Sequence, residues 1–129
     1  MYRYSIDESR RFVVATFEGE VGDTDLFDYL AHMLANTRYG SGWRSLIDLT
    51  TAEVVDLTRA GVQRMRALPL YMEERLNGAR AAVLAPRQSA AYGMARMYAM
   101  MGSNAHYEIA VFSDRDEAMR WLFQENKPA

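Results

Sequence analysis

Asp48, Thr50 and Thr51 place a carboxylate and two hydroxyls just after an apolar run, Leu46-Ile47, and a helical pattern follows within a few residues. In an open α/β sheet, the carboxyl ends of the strands are where ligands are held. The same logic brings Glu20 and Asp23, then Pro86, Arg87 and Gln88, then Ser113, Asp114 and Arg115 to one rim. Helix N-termini at such a rim favour anions, and arginines there supply charge-assisted hydrogen bonds. Thr50, Thr51, Arg87 and Arg115 form the candidate anion rim. Asp48, Thr50 and Arg87 form the candidate set for a small enzyme. Ordinary caps and turns account for the same residues. Asp23, Asp48 and Asp114 oppose an anion, and the only glycine cluster nearby, Gly40-Ser41-Gly42, lies at the opposite end of its strand.

Other chemistry has thinner support. His32 falls off the apolar stripe of its helix, and His106 begins a strand at the far rim. A Ser-His-Asp arrangement would need those ends to meet. Glu73 and Glu74 are helix neighbours that diverge. The chain has no Gly-x-Ser-x-Gly, His-Glu-x-x-His or phosphate-loop pattern. It has no cysteine, so disulfides, thiolate metal sites and thiol nucleophiles are absent. The expectation is a non-enzymatic protein with no metal or cofactor.

Two apolar stretches are the stronger candidates. The span from Gln88 to Met101 carries one charge, at Arg96. Ala90, Met94, Met97 and Met101 share one helical face; Tyr92, Arg96 and Met100 share another. A helix apolar nearly all round is buried on two sides or exposes a patch, and methionine suits adaptable binding surfaces. A core stripe with a homodimer contact is the plainer account. The second stretch surrounds Pro69. Leu70, Tyr71 and Met72 are contiguous and cannot all face one core. A kinked helix there could cover an apolar cavity, with a hydrophobe bound between it and the methionine-rich helix.

These candidates must be positioned by one domain. At 129 residues the chain is long enough to bury its own core, and residues 1–124 are read as that domain with a frayed tail at 125–129. Half the residues are hydrophobic and a quarter charged, as in ordinary globules. A net charge of −2 gives no footprint for nucleic acid. All but one of the basic residues are arginine, so any pull on anions depends on where individual arginines lie. The N-terminal residues lack the apolar stretch of a secretory signal, and no apolar run approaches the roughly 18 residues of a membrane span. A cytoplasmic protein is expected.

Periodicity predicts strands at 2–7, 11–20, 43–48, 79–85 and 106–112. The first two should pair as an antiparallel hairpin, with the first strand at a sheet edge. A helix capped by Asp23 or Thr24 should bury Leu26, Phe27, Leu30, Met33 and Leu34 and stop near Arg38. A helix from about Asp56 should kink at Pro69 and stop at Asn77-Gly78. Another spans about 88–101. Ser113 should cap the last, whose Ala118, Met119, Trp121 and Leu122 face inward. The order β-β-α-β-α-β-α-β-α implies right-handed crossovers and a five-stranded, mostly parallel sheet with about four helices.

This succession resembles the SpoIIAA-like proteins, a bacterial group akin to the STAS (anti-sigma-factor antagonist) domains. The resemblance is carried by Phe17-Glu18-Gly19, Leu46-Ile47-Asp48-Leu49-Thr50, Ala95-Arg96-Met97-Tyr98, Val111-Phe112, Glu117-Ala118 and Trp121-Leu122. It implies a regulatory or binding module rather than an enzyme. In STAS antagonists a Ser or Thr at the start of the helix after the third strand is phosphorylated to switch partners. The motif reads roughly Asp-Ser-Ser-Gly, preceded by Asp-Leu-Ser. Asp48-Leu49-Thr50 matches the earlier part, and Thr58 stands at the acceptor position. Leu57 and Arg59 replace the motif's Ser and Gly. The group is also similar to CRAL–TRIO lipid-binding folds, which implies a lipid or small hydrophobe as ligand, or contact with a membrane surface.

Overall fold

The computed structural model describes residues 1–36, 39–70, 76–102 and 107–124, with the backbone alone at 66, 68–70 and 101–102. β1 (Tyr2–Asp7) and β2 (Phe12–Phe17) form the expected antiparallel hairpin at the sheet edge. Asp7 Oδ1 organises the turn, accepting from the Ser9 backbone at 3.1 Å and from the Ser9 hydroxyl at 2.6 Å. β4 (Arg44–Asp48), β6 (Ala79–Leu84) and β7 (Tyr107–Phe112) extend the sheet in parallel, in the order β1-β2-β4-β6-β7.

Seven strands form two sheets among the described residues, where five strands in one sheet were expected. The expected strand at 11–20 breaks at Glu18. Gly19 takes φ 70°, a left-handed conformation that suits glycine, and the chain leaves the main sheet as β3 (Gly19–Gly22). β3 pairs in parallel with β5 (Ala52–Asp56), which lies where a polar connection was expected. Val54 and Val55 were its local signal, but Val54 is half exposed, so no alternation of buried and solvated positions marks the strand.

α1 (Asp23–Ala35) starts one residue earlier than a cap at Asp23 implies. Its N-cap is Gly22, whose N–H donates to Asp25 Oδ2 at 2.9 Å. Its buried residues are Leu26, Tyr29, Met33 and Leu34. Tyr29 replaces Phe27, which is 37% exposed, because the helix turns its Leu26–Met33 face squarely onto the sheet. α2 (Arg59–Leu70) begins three residues after Asp56 because β5 runs through Asp56 and Thr58 caps the helix. Pro69 falls in its last turn; the expected continuation over 71–75 lies outside the described residues. α3 (Ala90–Gly102) is capped by Ser89, whose hydroxyl accepts from the Tyr92 N–H at 3.1 Å. α4 (Arg115–Phe123) is capped by Asp114 rather than Ser113, with Oδ1 accepting from the Asp116 N–H at 2.9 Å. Ala118 and Leu122 are buried as expected; Met119 and Trp121 are half-buried.

Strand alternation sorts the core into two layers. Val13, Ala15, Phe17, Ile47, Ala81, Val83 and Ile109 pack toward α1, α2 and α3. Phe12, Leu46, Ala82 and Leu84 pack toward α4. β6 is buried along its whole length, as a central parallel strand should be. On the α4 side, Arg44 and Arg80 stand opposite each other across β4 and β6. Arg44 donates to Leu122 O and, at 2.7 Å, to Gly78 O. Arg80 donates to Trp121 O at 3.1 Å and Gln124 O at 2.8 Å. The two guanidiniums thus satisfy the C-terminal carbonyls of α4 and oppose the negative end of its dipole.

Candidate functional site

Between the sheet and the three helices lies an interior cavity of about 40 Å³. The sheet supplies Ile47, Val83 and Tyr107, and Leu49 just after β4 completes the floor; α1 supplies Leu26, Tyr29 and Leu30; Leu57 precedes α2, which supplies Val62 and Met65; and α3 supplies Met94, Ala95 and Tyr98. Among the described residues the lining contains no Asp, Glu, Lys, Arg or His. Its space arises where α2 and α3 approach each other, with Ala95 leaving room that a larger residue would fill. The volume holds a few waters and falls short of the roughly 150 Å³ of an engineered cavity that admits benzene. Met65 and Met94, each with three rotatable side-chain bonds, are the walls best able to yield.

Beside this cavity sits a cluster of buried hydroxyls. Tyr39 and Ser45 are 3.1 Å apart. Tyr29 is hydrogen-bonded to Ser45, and Tyr107 to Tyr39. Tyr98 is buried with them, and its hydroxyl makes no hydrogen bond among the described residues. Burial, reinforced by the neighbouring tyrosines, pushes the Tyr29, Tyr98 and Tyr107 hydroxyls well above the ordinary tyrosine value. All three stay protonated at neutral pH.

Of the residues singled out in the methionine-rich helix, Met94 lines the cavity. Tyr92 and Met97 are half-buried against the core, and Arg96 and Met100 face solvent, Met100 at 81% exposure. The Met101 and Leu70 side chains, and Tyr71 and Met72 altogether, lie outside the described residues. The fully buried stripe of α3 is Ala91, Ala95 and Tyr98, not the methionine face. Its i, i+4, i+7 spacing was present in the sequence; the larger methionines masked it. Leu57 and Tyr29 were also missed, Leu57 because it falls between elements and Tyr29 because its hydroxyl reads as polar.

At the carboxyl rim, the structure brings several expected residues together. Asp48 Oδ1 accepts from the Thr50 N–H at 2.8 Å and the Thr50 hydroxyl at 2.6 Å, and Asp48 Oδ2 pairs with Arg115 at 3.4 Å. Thr51 donates to Phe17 O at 3.0 Å. Arg87 reaches Ser113 at 3.5 Å. The rim therefore spends its hydroxyls and one arginine on closing the β4–β5 turn and joining it to α4. Among the described residues no group of three His, Asp or Glu is placed to hold a metal.

Thr58 is exposed and caps α2, its Oγ1 accepting from the Gly61 N–H at 3.0 Å. The same hydroxyl donates to Asp23 Oδ2 at 2.5 Å, and its backbone N–H donates to Asp23 Oδ1 at 3.0 Å. Asp23, the first residue of α1, thereby clips the starts of α1 and α2 together. The clip depends on Gly61: a Cβ there would lie 2.0 Å from Asp23 Cγ. Gly61→Ala should cost about 1–2 kcal/mol, although a helix-interior alanine normally gains about 1 kcal/mol. In an Asp23→Ala background the same substitution should turn stabilising. Urea denaturation of the two single variants and the double variant checks this; additive effects would refute the clip.

Three helices over one face of a mixed sheet, with a fourth helix behind, define a small α/β domain. No family model and no curated protein matches the chain. Among solved structures it is similar to an uncharacterized protein of the DUF3478 family with a SpoIIAA-like fold from Shewanella loihica PV-4. The two share 17% identity with a TM-score of 0.59, over 94% of this chain and 93% of that one. The chain therefore has the SpoIIAA-like fold that its sequence resembles. No helix among the described residues is long and apolar enough to cross a membrane.

Proposed function

We propose that this protein is a non-catalytic binding module that admits a small hydrophobic ligand between α1, α2, α3 and the sheet. The observation that carries the reading is the cavity walled by Met65, Met94 and Leu57, with no charged group among its described lining residues. It lies under α2 and under α3, the methionine-rich helix. Flexible thioethers let such a space enlarge around a guest. The non-catalytic part is supported by the rim, where Asp48 is engaged by Thr50 and Arg115.

Native mass spectrometry of untreated protein, with organic extraction of the same sample, tests the proposal. The expected result is a retained neutral molecule, or binding of the fluorophore N-phenyl-1-naphthylamine by emptied protein. Ala95→Leu, which grows into the cavity without altering the surface, should weaken that binding at least tenfold. No retained molecule and no fluorophore binding would sink the reading; undiminished binding by Ala95→Leu would move the site to the surface of α3.

A second reading, a phosphorylation switch at Thr58, is supported by the exposure of that hydroxyl at a helix N-terminus. Phosphate on Oγ1 would break the Asp23 clip and set a dianion beside that carboxylate. The switch would then act by releasing α1 from α2, the two helices that share the cavity walls. It requires phosphorylated Thr58 in protein from the native host, and Thr58→Asp that alters partner binding.

A further inference from the structure

We propose that the interior site selects a neutral molecule that is apolar except for one hydrogen-bond acceptor, such as a small ketone or ether, with Tyr98 donating to that acceptor. The proposal rests on the ligand-binding reading above and deepens it by naming the ligand class. Two independent observations lead to it. The described walls carry no charged side chain, and a carboxylate, phosphate or ammonium finds no partner among them. Tyr98 is one of those walls, and its buried hydroxyl makes no hydrogen bond among the described residues.

The neighbouring hydroxyls sharpen the contrast. Those of Tyr39, Ser45, Tyr29 and Tyr107 are committed to one another. Among the described residues Tyr98 alone in the cluster has a hydrogen bond still to make, and an unmade buried bond carries the full desolvation penalty. A trapped water is a poor substitute. A water needs two to four polar partners, and the described walls of the cavity that Tyr98 lines are almost wholly apolar. The surrounding groups have already paired. Burial keeps Tyr98 protonated, so its hydroxyl has a proton to donate, and a ligand acceptor satisfies it where a ligand donor would leave that proton unpaired.

The size of the site sets a second condition. At about 40 Å³ it takes only a few heavy atoms before Met65 and Met94 must swing aside. The methyl groups of those two methionines are therefore reporters of occupancy. NMR titration of protein carrying ¹³C-methyl methionine, with cyclopentanone and with cyclopentane, tests the proposal on the wild type and Tyr98→Phe. Phenylalanine keeps the ring and removes only the unpartnered oxygen, so the variant retains its core.

The expected result is that cyclopentanone shifts the Met65 and Met94 methyls and binds Tyr98→Phe about tenfold more weakly, while cyclopentane binds both proteins alike. Equal affinity of cyclopentanone for the two proteins would overturn the Tyr98 assignment and leave the apolar site standing. If neither probe moves those methyls, the ligand-binding reading falls with it.

Discussion

Raising the pH from about 10 toward 12 should unfold this protein in one steep transition, with tyrosine ionisation and loss of secondary structure coinciding. The cause is the buried hydroxyl cluster. Tyr29, Tyr98 and Tyr107 are held well above the ordinary value of 10.0, chiefly by burial. Their folded-state pKa is raised, so their contribution to stability is complete below about pH 10. Above it, the unfolded chain releases protons that the folded chain keeps, and stability falls. Each such group costs about 1.4 kcal/mol per pH unit, so the three together cost about 4 kcal/mol per unit. A fold stabilised by about 5–15 kcal/mol does not withstand that for more than a few units. Tyr2, pushed up to about 12 by burial and by its hydrogen bond to Asp28, titrates in the same window. Absorbance at the tyrosinate band and far-ultraviolet circular dichroism, followed together, check the result. Gradual ionisation of all 8 tyrosines near pH 10 with an unchanged dichroism spectrum would contradict it.

Arg80→Met should destabilise the protein by about 3 kcal/mol, the largest effect expected of a single substitution on the α4 side. Arg80 is 5% exposed and donates to the carbonyls of Trp121 and Gln124 while pairing with Glu108 at 3.5 Å. Its guanidinium also lies 5.7 Å from the Trp121 ring. Removing it leaves carbonyls at the end of α4 without donors. It also leaves Arg44, whose pKa burial and Arg80 already lower, as the sole guanidinium seen to donate to the terminal carbonyls of α4 among the described residues. Arg80→Lys should recover little, because one ammonium cannot reproduce a fork that reaches two carbonyls. Arg120→Ala, on the exposed side of the same helix, should stay within about 0.5 kcal/mol. Urea unfolding followed by tryptophan fluorescence gives the comparison; equal effects at positions 80 and 120 would show that the helix end does not depend on this contact.

Both predictions come from polar groups that no local pattern advertises. Arg44 and Arg80 look in sequence like two more members of an arginine-rich composition. They become helix caps only because β4 and β6 run side by side in register and α4 ends across them. Tyr29, Tyr98 and Tyr107 come from α1, α3 and β7, and their proximity exists only once three helices close over one sheet face.

What the sequence determined by itself was the scaffold. Alternation in Tyr2–Asp7, the continuous apolar run at Ala79–Leu84 and the amphipathic spacing of α1 and α4 are short-range signals, and each element formed where its period required. The carboxyl rim was legible for the same reason: in parallel strands, chain direction alone decides which ends meet, and Asp48 does meet Thr50 and Arg115. Tertiary structure decided the rest. β5 is a strand because β3 pairs with it, and Val54-Val55 could not say so alone. The buried face of α3 is Ala91, Ala95 and Tyr98 because small side chains let the helix sit close to β7 and α2, leaving methionines at the margins. Thr58 acquired Asp23 as a partner because Gly61 leaves room for a carboxylate. The cavity has no local signature at all: it is the space left when sheet, α1, α2 and α3 cannot quite fill their common interior, and long-range packing alone sets that remainder.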